Sequence, residues 1–511
     1  MDKLILSVQS VLKEKYGKDY PAVLSLLRQL IASDNEKGLQ TSLIFLDDRK
    51  KLSPLRIAAI DAGKSTAKDY KNCVDALYRS FNPDYILLFG AIDVIPQQKL
   101  RNLLYKTDHE DDRWVASDLP YACNSPYSTD PNSFLSPVRV VGRLADINGV
   151  ADLDLVSVMI ADIIAFTPRD KKAYEPYFAV SVPGWRRSTD KSMEKVFTGR
   201  VRVNLVPPKK YHWTAAQLQP LSHYFNCHGA ESMPEWYGQT GGRFPKSMTP
   251  AALSGKIRKN TVVVAECCYG TQLFRPELSG LPDTMPICNA YFKNGAITFL
   301  GSSTTAYGPS TTNDQADLIT RYFMINILSG ASAGRALLDA RQTYILNHGP
   351  DLSPTDLKTI SQFNLLGDPS VQLVRKDAPA GAGPDQGSSA DKLVYLDPSR
   401  KERRKYLLSK GVALGNFVNS LQPGKKLEAG KTTKAYLRQL LSDHKLADPA
   451  GQTFIVRQNA ANKKTFRSNG MLSARFHIFL EKKKSGVLSQ KLLSVKELEG
   501  KVVSVQVYER R

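Results

Sequence analysis

The sequence predicts an α/β fold, in which a mostly parallel sheet has helices on both faces and a small basic α+β domain follows. Short apolar runs of strand length alternate along the chain with amphipathic stretches of helix length, as is typical of a buried parallel sheet. Residues 376–390 interrupt this pattern, because they are rich in Gly, Pro, Ala and Ser and lack large apolar side chains. With 511 residues the chain also exceeds one typical domain, which has about 150 residues.

Strands are predicted where apolar runs are short, and helices where apolar residues recur every three or four positions. In the first part of the chain, the predicted strands cover residues 43–46, 85–90, 138–141, 177–182, 201–205, 223–227, 261–265 and 296–300. The predicted helices there cover 55–78, 150–166, 315–328 and 335–346. After the interruption we predict a basic helix at 398–412 and strands at 453–457, 474–481 and 502–508.

These elements divide the chain into four segments. We predict an N-terminal helical segment (1–40), a main α/β domain (41–375), a flexible linker (376–390) and a basic C-terminal domain (391–511). The first segment is predicted to be helical because Leu4, Val8, Val11 and Leu12 recur at helical spacing. The sequence shows neither a signal peptide with a cleavage site nor an apolar run of about 20 residues, so we expect a cytoplasmic protein without a membrane span.

The net charge of +21 is concentrated in the C-terminal domain. Residues 391–511 contain 26 Lys and Arg against 10 Asp and Glu, whereas the other 390 residues contain 44 against 39. Such a basic surface could bind nucleic acid phosphates or an acidic protein, or could simply be solvated. The most basic stretches are 400–405, 463–467 and 482–484.

The six cysteines are spread thinly and form no Cys-x-x-Cys pair, which argues against a zinc site and against a disulfide framework. We expect neither a metal ion nor a cofactor. Two of the cysteines, Cys267 and Cys268, are adjacent and follow the predicted strand 261–265 after Glu266. The predicted strand 223–227 ends similarly, with His228 and Gly229 after it.

A histidine and a thiol at the ends of neighbouring parallel strands are suited to acyl transfer. Ligand sites in open α/β sheets form at this edge, and a thiol needs a nearby imidazole to become a nucleophile at neutral pH. The N–H groups of Gly229 and of the nucleophile could form an oxyanion hole, in which one donor contributes about 3 kcal/mol in other enzymes. Taken singly, His228 and the cysteines would more often be buried core residues.

At this point the sequence resembles the gingipain-type cysteine peptidases, which belong to the caspase-like fold group. The resemblance extends over residues 85–374 and includes a closing Gly-Asp-Pro-Ser at 367–370. It implies that residues 41–375 are a caspase-like peptidase domain and that the substrate is a protein or peptide. The motifs similar to those of the family, in the same order, are 85–90 with Asp93 and 95–96, 117–118 with 120–121, 140–144, 228–231 with Trp236 and Gly238, 295–303 and 366–370.

The resemblance leaves two candidates for the nucleophile. Cys267 fits the gingipain pattern Cys-x-x-Gly with a following apolar pair, 273–274. Cys268 fits the pattern of caspases and other relatives, in which an acidic residue or Gln and then a small residue precede the nucleophile. We favour Cys268, because a long Glu266 immediately before the nucleophile would be unusual. Strand alternation allows only one of the two thiols to face the histidine.

The chain also departs from the family pattern. Gingipains carry an acidic residue, which orients the histidine, at the end of the preceding strand, but residues 180–185 contain no carboxylate. We therefore expect a His/Cys dyad without a third member, or one oriented by a backbone carbonyl. The resemblance further implies that Asp190 or Glu194 binds a basic substrate side chain, with Trp236 as a wall of the same pocket. Alternatively, Asp190 and Glu194 are solvated residues near the start of a helix, and Trp236 packs in the core.

Two functional hypotheses follow. The first is a cysteine endopeptidase that uses a His/Cys dyad and cleaves after Arg or Lys. The second is a non-catalytic caspase-like scaffold whose basic C-terminal domain binds nucleic acid or an acidic partner. The missing acidic residue favours the second hypothesis, and the intact His-Gly and Cys strand ends favour the first.

Overall fold

The computed structural model describes residues 1–281, 284–348, 352–375, 421–426, 431–446, 448–458, 473–498 and 501–511. The strands are β1 (Lys3–Ser7), β2 (Thr41–Phe45), β3 (Tyr85–Phe89), β4 (Gln98–Arg101), β5 (Trp114–Ser117), β6 (Val140–Leu144), β7 (Tyr177–Ser181), β8 (Asn204–Leu205), β9 (Ser222–Asn226), β10 (His228–Gly229), β11 (Trp236–Tyr237), β12 (Lys246–Met248), β13 (Thr261–Ala265), β14 (Ala296–Ser302), β15 (Tyr307–Gly308), β16 (Phe363–Gly367), β17 (Leu421–Lys426), β18 (Ala450–Gln458), β19 (Ser473–Leu480), β20 (Lys491–Leu498) and β21 (Lys501–Arg510).

The helices are α1 (Gln9–Tyr16), α2 (Tyr20–Glu36), α3 (Arg49–Leu52), α4 (Ala67–Phe81), α5 (Leu153–Ala165), α6 (Arg186–Val196), α7 (Ala215–Leu218), α8 (Pro250–Leu253), α9 (Ile287–Lys293), α10 (Ala316–Leu328), α11 (Ala333–His348), α12 (Pro354–Gln362) and α13 (Lys431–Asp443). No helix among the described residues is long and apolar enough to cross a membrane.

A ten-stranded sheet in the order β2-β1-β3-β6-β16-β14-β13-β9-β7-β8 organises the main domain. Neighbouring strands are parallel except β14 and β16, which run antiparallel. Helices α2, α5 and α9 pack together, as do α6, α10 and α11, so that helices cover both faces of the sheet. The strands are almost wholly apolar and buried, as expected for a parallel sheet covered on both sides. The predicted α/β architecture, a mostly parallel sheet with helices on both faces, is confirmed.

The predicted N-terminal helical segment is wrong as a separate unit. Residues 3–7 form β1, an inner strand of the main sheet that pairs with both β2 and β3. Leu4, Ile5 and Leu6 are all buried, so the apolar run lies between two helix layers rather than on one helix face. The first helix begins only at Gln9. Short apolar runs do not distinguish a buried strand from a buried helix by spacing alone.

The C-terminal domain is an antiparallel sheet in the order β21-β20-β19-β18-β17, with α13 packed on it. The three predicted strands of this domain correspond to β18, β19 and β21. The short strand β15 of the main domain extends the sheet by pairing with β21. The predicted linker 376–390 and basic helix 398–412 lie outside the described residues, as does the basic stretch 463–467.

A buried ion cluster attaches β1 to the end of the main domain. The Lys3 ammonium group is fully buried and lies 2.8 Å from a carboxylate oxygen of Asp34. It also pairs with Asp368, which belongs to the Gly-Asp-Pro-Ser motif. One cation thus compensates two buried carboxylates from opposite ends of the domain. Removing one partner of such a cluster leaves uncompensated buried charge.

We therefore expect Lys3→Met to lower the free energy of unfolding by about 3–5 kcal/mol, because both carboxylates would lose their cation. Denaturant unfolding followed by circular dichroism measures this loss. The control Lys18→Met replaces an exposed lysine with the same residue and should change the free energy by less than about 0.5 kcal/mol. Equal stabilities of the two variants would contradict the expectation.

Candidate active site

His228 lies at the edge of the main sheet where β9 ends. Its side chain is fully buried, and Nε2 donates a hydrogen bond to Oε1 of Gln239 at 2.9 Å. Nδ1 is also buried and has no hydrogen-bond partner within the described part of the chain. The contact with Gln239 therefore selects the tautomer in which Nδ1 carries a free lone pair and can accept a proton.

Gln239 orients the imidazole of His228. The sequence predicted either no third member of the dyad or a backbone carbonyl in this role. It follows β11, and its backbone N–H donates to the carbonyl of Val206 at 3.2 Å. Gly238 approaches the same residue so closely that an added Cβ would lie 2.0 Å from the Val206 carbonyl oxygen. Because the backbone is fixed here, the amide side chain of Gln239 stays aimed at the imidazole.

The two adjacent cysteines point in different directions. Sγ of Cys268 accepts a hydrogen bond from the N–H of Ala306 at 3.2 Å. Sγ of Cys267 instead lies 3.8 Å from the carbonyl oxygen of Phe225 in β9 and interacts with Cys227. Cys267 is thus part of the core between the strands, whereas Cys268 faces the segment after β14.

Two strand ends meet at Gly229 and Cys268. In the parallel pair β9–β13, Phe225 is opposite Ala265, so His228 and Cys268 each follow their aligned residue by three positions. A Cβ added to Gly229 would lie 1.8 Å from the carbonyl oxygen of Cys268, so that only glycine permits this approach. The residue after the thiol, Tyr269, has a φ of 56°, which turns the chain away from the strand direction.

The N–H groups of Gly229 and Cys268 donate to one acceptor, the carbonyl oxygen of Arg511, at 3.4 and 3.3 Å. The sequence predicted these two groups as the donors of an oxyanion hole, and the structure brings them together on a single carbonyl. Donors aimed at one carbonyl oxygen are the arrangement that stabilises negative charge on that oxygen during acyl transfer.

The carbonyl in this position belongs to a segment of the C-terminal domain that enters the cleft in extended conformation. β21 pairs antiparallel with β15, with Arg510 opposite Tyr307 and Glu509 opposite Gly308. The N–H of Arg511 continues the pairing by donating to the carbonyl of Ala306 at 3.0 Å. We call residues 508–511 the C-terminal tail. The tail therefore lies in the cleft as an added β-strand.

The side chain of Arg511 fills a closed pocket with a carboxylate at its base. Its Nη2 donates to the carbonyl of Pro309 at 2.7 Å, and it lies 3.2 Å from Oδ1 of Asp317 and 3.3 Å from Oγ of Ser188. The side chain is fully buried, so the charge pair is out of contact with water. We call the residues that line this space the arginine pocket: Trp185, Ser188, Gly308, Pro309 and Asp317.

Two residues give the arginine pocket its shape. The guanidinium carbon of Arg511 lies 4.4 Å from the ring centroid of Trp185, a distance typical of a cation–π contact. The other side of the Trp185 ring system contacts His228, with 4.5 Å between the centroids. Gly308 leaves room for the guanidinium, since a Cβ there would lie 2.5 Å from Nη2 of Arg511.

A second carboxyl group, Glu266, interacts with Asp317. Its Oε1 accepts hydrogen bonds from the hydroxyl groups of Tyr224 and Thr320. Burial, and then the charge of Asp317, raise the pKa of Glu266 well above its ordinary value. Burial also raises the pKa of Asp317, but the Arg511 guanidinium opposes that rise. Glu266 is therefore the neutral member of the pair, and Asp317 carries the charge that the guanidinium meets.

The carboxylates that the sequence suggested for this pocket lie elsewhere. Asp190 is on the outer side of α6, partly exposed, and pairs with Arg186 at 3.3 Å. Glu194 is exposed on the same helix. The side of α6 that faces the pocket instead carries Ser188. The expectation that Asp190 or Glu194 lines the pocket is thus corrected, because helix periodicity turns both away from it.

Trp236 does not wall the arginine pocket either. Its side chain is buried in the core, with its ring 4.5 Å from Phe225 and 6.2 Å from Phe299. The packing alternative considered for Trp236 therefore describes its contacts. The aromatic wall is Trp185. This residue ends the stretch 180–185, in which a carboxylate would have been expected from the family pattern.

Burial and the charges of the tail both affect the protonation of the dyad. Burial, with smaller effects of the charges of Arg510 and Arg511, lowers the pKa of His228 to about 3, against the opposing effect of the hydrogen bond with Gln239. Burial raises the pKa of Cys268, against the opposing effects of Arg510 and the Ala306 N–H. Both shifts favour the neutral forms, so the occupied cleft holds an imidazole and a thiol rather than an ion pair.

Among the described residues, one group of side chains has the spacing of a metal site: Asp314, His348 and Asp356. Nε2 of His348 lies 3.0 Å from Asp314, and the pKa of this histidine is raised to about 9 by the two carboxylates despite its burial. A metal ion would have to displace the proton that the two carboxylates favour on this imidazole. The group is a hydrogen-bonded ion cluster, to which Tyr508 of the tail donates at 2.8 Å.

Four participants in the site were not predicted from the sequence: Asp317, Gln239, Trp185 and the tail. Asp317 lies in the first turn of α10, where an acidic residue is expected for helix-dipole reasons alone. Gln239 and Trp185 belong to loops whose positions depend on contacts with distant strands. The tail gives the clearest available signal, since Glu-Arg-Arg at 509–511 is a dibasic sequence of the kind that a pocket for a basic side chain would bind.

Part of the chain is similar in sequence to a known peptidase family. Residues 222–374, which include His228, both candidate cysteines and Asp317, match peptidase family C25, the gingipain family. A solved structure of a protease is similar over 98% of this chain and 97% of its own, with 13% sequence identity and a TM-score of 0.49. No curated protein matches the chain significantly. The family match at residues 222–374 confirms the resemblance of this part of the chain to gingipain-type cysteine peptidases.

Proposed function

We propose that this protein is a cysteine endopeptidase that cleaves after arginine, with Cys268 as nucleophile and His228 as general base and acid. The observation that carries the proposal is the position of Arg511. Its carbonyl oxygen accepts from two N–H groups beside Cys268, while its guanidinium meets Asp317. An arginine bound in this way presents its carbonyl carbon to the thiol.

The chemistry follows from these contacts. Sγ of Cys268 attacks the carbonyl carbon, and its proton passes to Nδ1 of His228. The negative charge that develops on the oxygen is stabilised by the N–H groups of Gly229 and Cys268. His228 then gives the proton to the leaving amine as the C–N bond breaks. Water hydrolyses the resulting thioester, with Nδ1 accepting the proton of the water and the thiol re-forming.

The arginine pocket accounts for the choice of side chain. A buried cation needs a charged acceptor, and Asp317 with neutral Glu266 provides one negative charge. Trp185 offers a flat surface that a planar guanidinium covers better than an ammonium group does. We therefore expect Arg to be preferred over Lys. Both are preferred over neutral residues.

The first prediction concerns the nucleophile. Cys268→Ala should abolish cleavage, whereas Cys267→Ala should retain most of it, because Sγ of Cys267 points into the core. The measurement is hydrolysis of a fluorogenic peptide with Arg before the reporter group, together with mapping of the cysteine labelled by iodoacetamide. Both variants are assayed in the 1–511 chain and in Arg511→Ala, so that occupancy of the cleft does not mask turnover. Loss of activity only in Cys267→Ala would contradict the assignment.

A second prediction concerns specificity. Asp317→Asn should lower kcat/KM for Arg peptides by about 100-fold, because a buried guanidinium would lose its charged partner. Asp190→Asn is the matched control, since it removes a partly exposed carboxylate, and it should change kcat/KM by less than about twofold. A peptide library would detect the altered preference. If Asp190→Asn had the larger effect, the assignment of the pocket would be overturned.

A third prediction concerns the positioning residue Gln239. Gln239→Ala should lower kcat by about 10- to 100-fold with little change in KM, because the imidazole would lose its fixed tautomer. Gln239→Glu should retain more activity and move the acidic limb of the pH profile upward, since a carboxylate next to Nε2 raises the pKa of His228, and the imidazole must be unprotonated to act as the base. A purely structural role would instead lower kcat in both variants without moving the pH profile.

A further inference from the structure

The C-terminal tail occupies the positions that a substrate needs, and it is part of the same chain. Five of its backbone contacts lie in the cleft: the pairings with Tyr307 and Gly308, the bond to Ala306 and the bonds from Gly229 and Cys268. A substrate that presents an arginine to Cys268 would use the same N–H groups. Binding of the tail and binding of a substrate therefore exclude each other.

The contacts of the tail extend beyond Arg511. The guanidinium of Arg510 lies 2.7 Å from Asp111. Glu509 accepts a hydrogen bond from Nε1 of Trp185 at 2.5 Å, and the hydroxyl of Tyr508 donates to Asp314 at 2.8 Å. Each of the four residues thus meets a partner of complementary chemistry on the main domain. Such matching over consecutive residues is typical of a peptide that fills a series of subsites.

The rest of the C-terminal domain secures the tail. An apolar cluster joins the two domains, in which Leu104 and Tyr307 of the main domain pack with residues of the C-terminal sheet: Ala474, Phe476, Ile478, Leu480, Leu492 and Tyr508. Lys483 pairs with Asp111, the same residue that meets Arg510. Lys483 and Arg510, two basic residues of the C-terminal domain, therefore form ion pairs with the loop that borders the cleft.

Tethering makes this occupant hard to displace. A segment on the same chain binds at an effective concentration that can reach about millimolar for short flexible linkers, and here the docked domain also orders the strand. The dyad beneath the tail is desolvated, with the pKa of His228 lowered to about 3 and that of Cys268 raised by burial. The thiol is thus held in its less nucleophilic form.

We propose that the C-terminal domain is a tethered inhibitor of the peptidase, in which residues 508–511 fill the subsites that a substrate must occupy. This inference rests on the proposed function for the identity of the blocked reaction. Activity then requires displacement of the tail from the cleft. The same contacts define the preferred substrate as an extended segment with two consecutive arginines, the second of which precedes the cleaved bond.

The test uses the 1–511 chain and substitutions at Arg511. Arg511→Ala and Arg511→Glu should raise hydrolysis of a fluorogenic Arg-Arg peptide by at least about tenfold, and should accelerate alkylation of Cys268 by a similar factor. Arg511→Lys keeps the charge and should remain largely inhibited. Lys501→Ala removes one positive charge from an exposed position of the same strand and should behave like the unmodified chain.

A second measurement guards against misfolding. Circular dichroism and thermal unfolding of each variant are compared with the unmodified chain, and the peptide acetyl-Tyr-Glu-Arg-Arg is added to Arg511→Ala. The peptide should restore slow alkylation of Cys268, whereas acetyl-Tyr-Glu-Arg-Ala should not. If alkylation of Cys268 is slowed by acetyl-Tyr-Glu-Arg-Arg but not by the second peptide, the arginine pocket must be intact. A misfolded variant would lack this pocket.

The outcomes separate this inference from the proposed function. Equal hydrolysis and equal alkylation in the unmodified chain and Arg511→Ala would overturn the tethered inhibitor, and high hydrolysis in both would still support the peptidase. Faster alkylation without any hydrolysis of Arg peptides would support occupancy of the cleft by the tail but contradict the peptidase. Faster alkylation and hydrolysis together support both.

Discussion

The close approach of Gly229 to the carbonyl oxygen of Cys268 is the constraint on which the site depends. Two parallel strands deliver these residues to one edge, and the missing Cβ lets the chains after them come into backbone contact. Because of that contact, two N–H groups converge on a single carbonyl oxygen. His228 and Cys268 follow these two strands at aligned positions. A rigid sheet edge, rather than a flexible loop, thus sets the geometry.

Residues that act at this edge lie between positions 185 and 511 of the chain and belong to different elements. His228 and Cys268 arrive on inner strands of the sheet, Asp317 on the first turn of α10, and Trp185 on the turn before α6. The tail arrives by β-pairing with β15. Only the strand ends are fixed by the core of the main domain. The arginine pocket therefore depends on how α6 and α10 pack together over the sheet.

This difference explains what could be predicted from the sequence. The strand ends were recognisable because a buried apolar run followed by His-Gly or by Cys is a local pattern, and strand alternation already favoured one thiol. Asp317 could not be distinguished from an ordinary acidic residue at a helix start, since its role depends on Glu266 and a guanidinium 194 positions away. β1 was predicted as helix for the related reason that burial on two faces removes the periodicity that separates strands from helices.

The protonation states of the two carboxyl groups beneath the pocket limit the cost of burying charge. If both Asp317 and Glu266 were ionised in this dry environment, one guanidinium would leave an uncompensated negative charge, which is costly. Glu266, which accepts a hydrogen bond from the Tyr224 hydroxyl, retains its proton. Asp317 is then the single negative charge that faces the single guanidinium. The dyad is desolvated together with this pair of carboxyl groups. The same buried strand therefore fills the pocket and favours the neutral forms of Cys268 and His228. The bound tail therefore keeps the thiol in its neutral, less nucleophilic form.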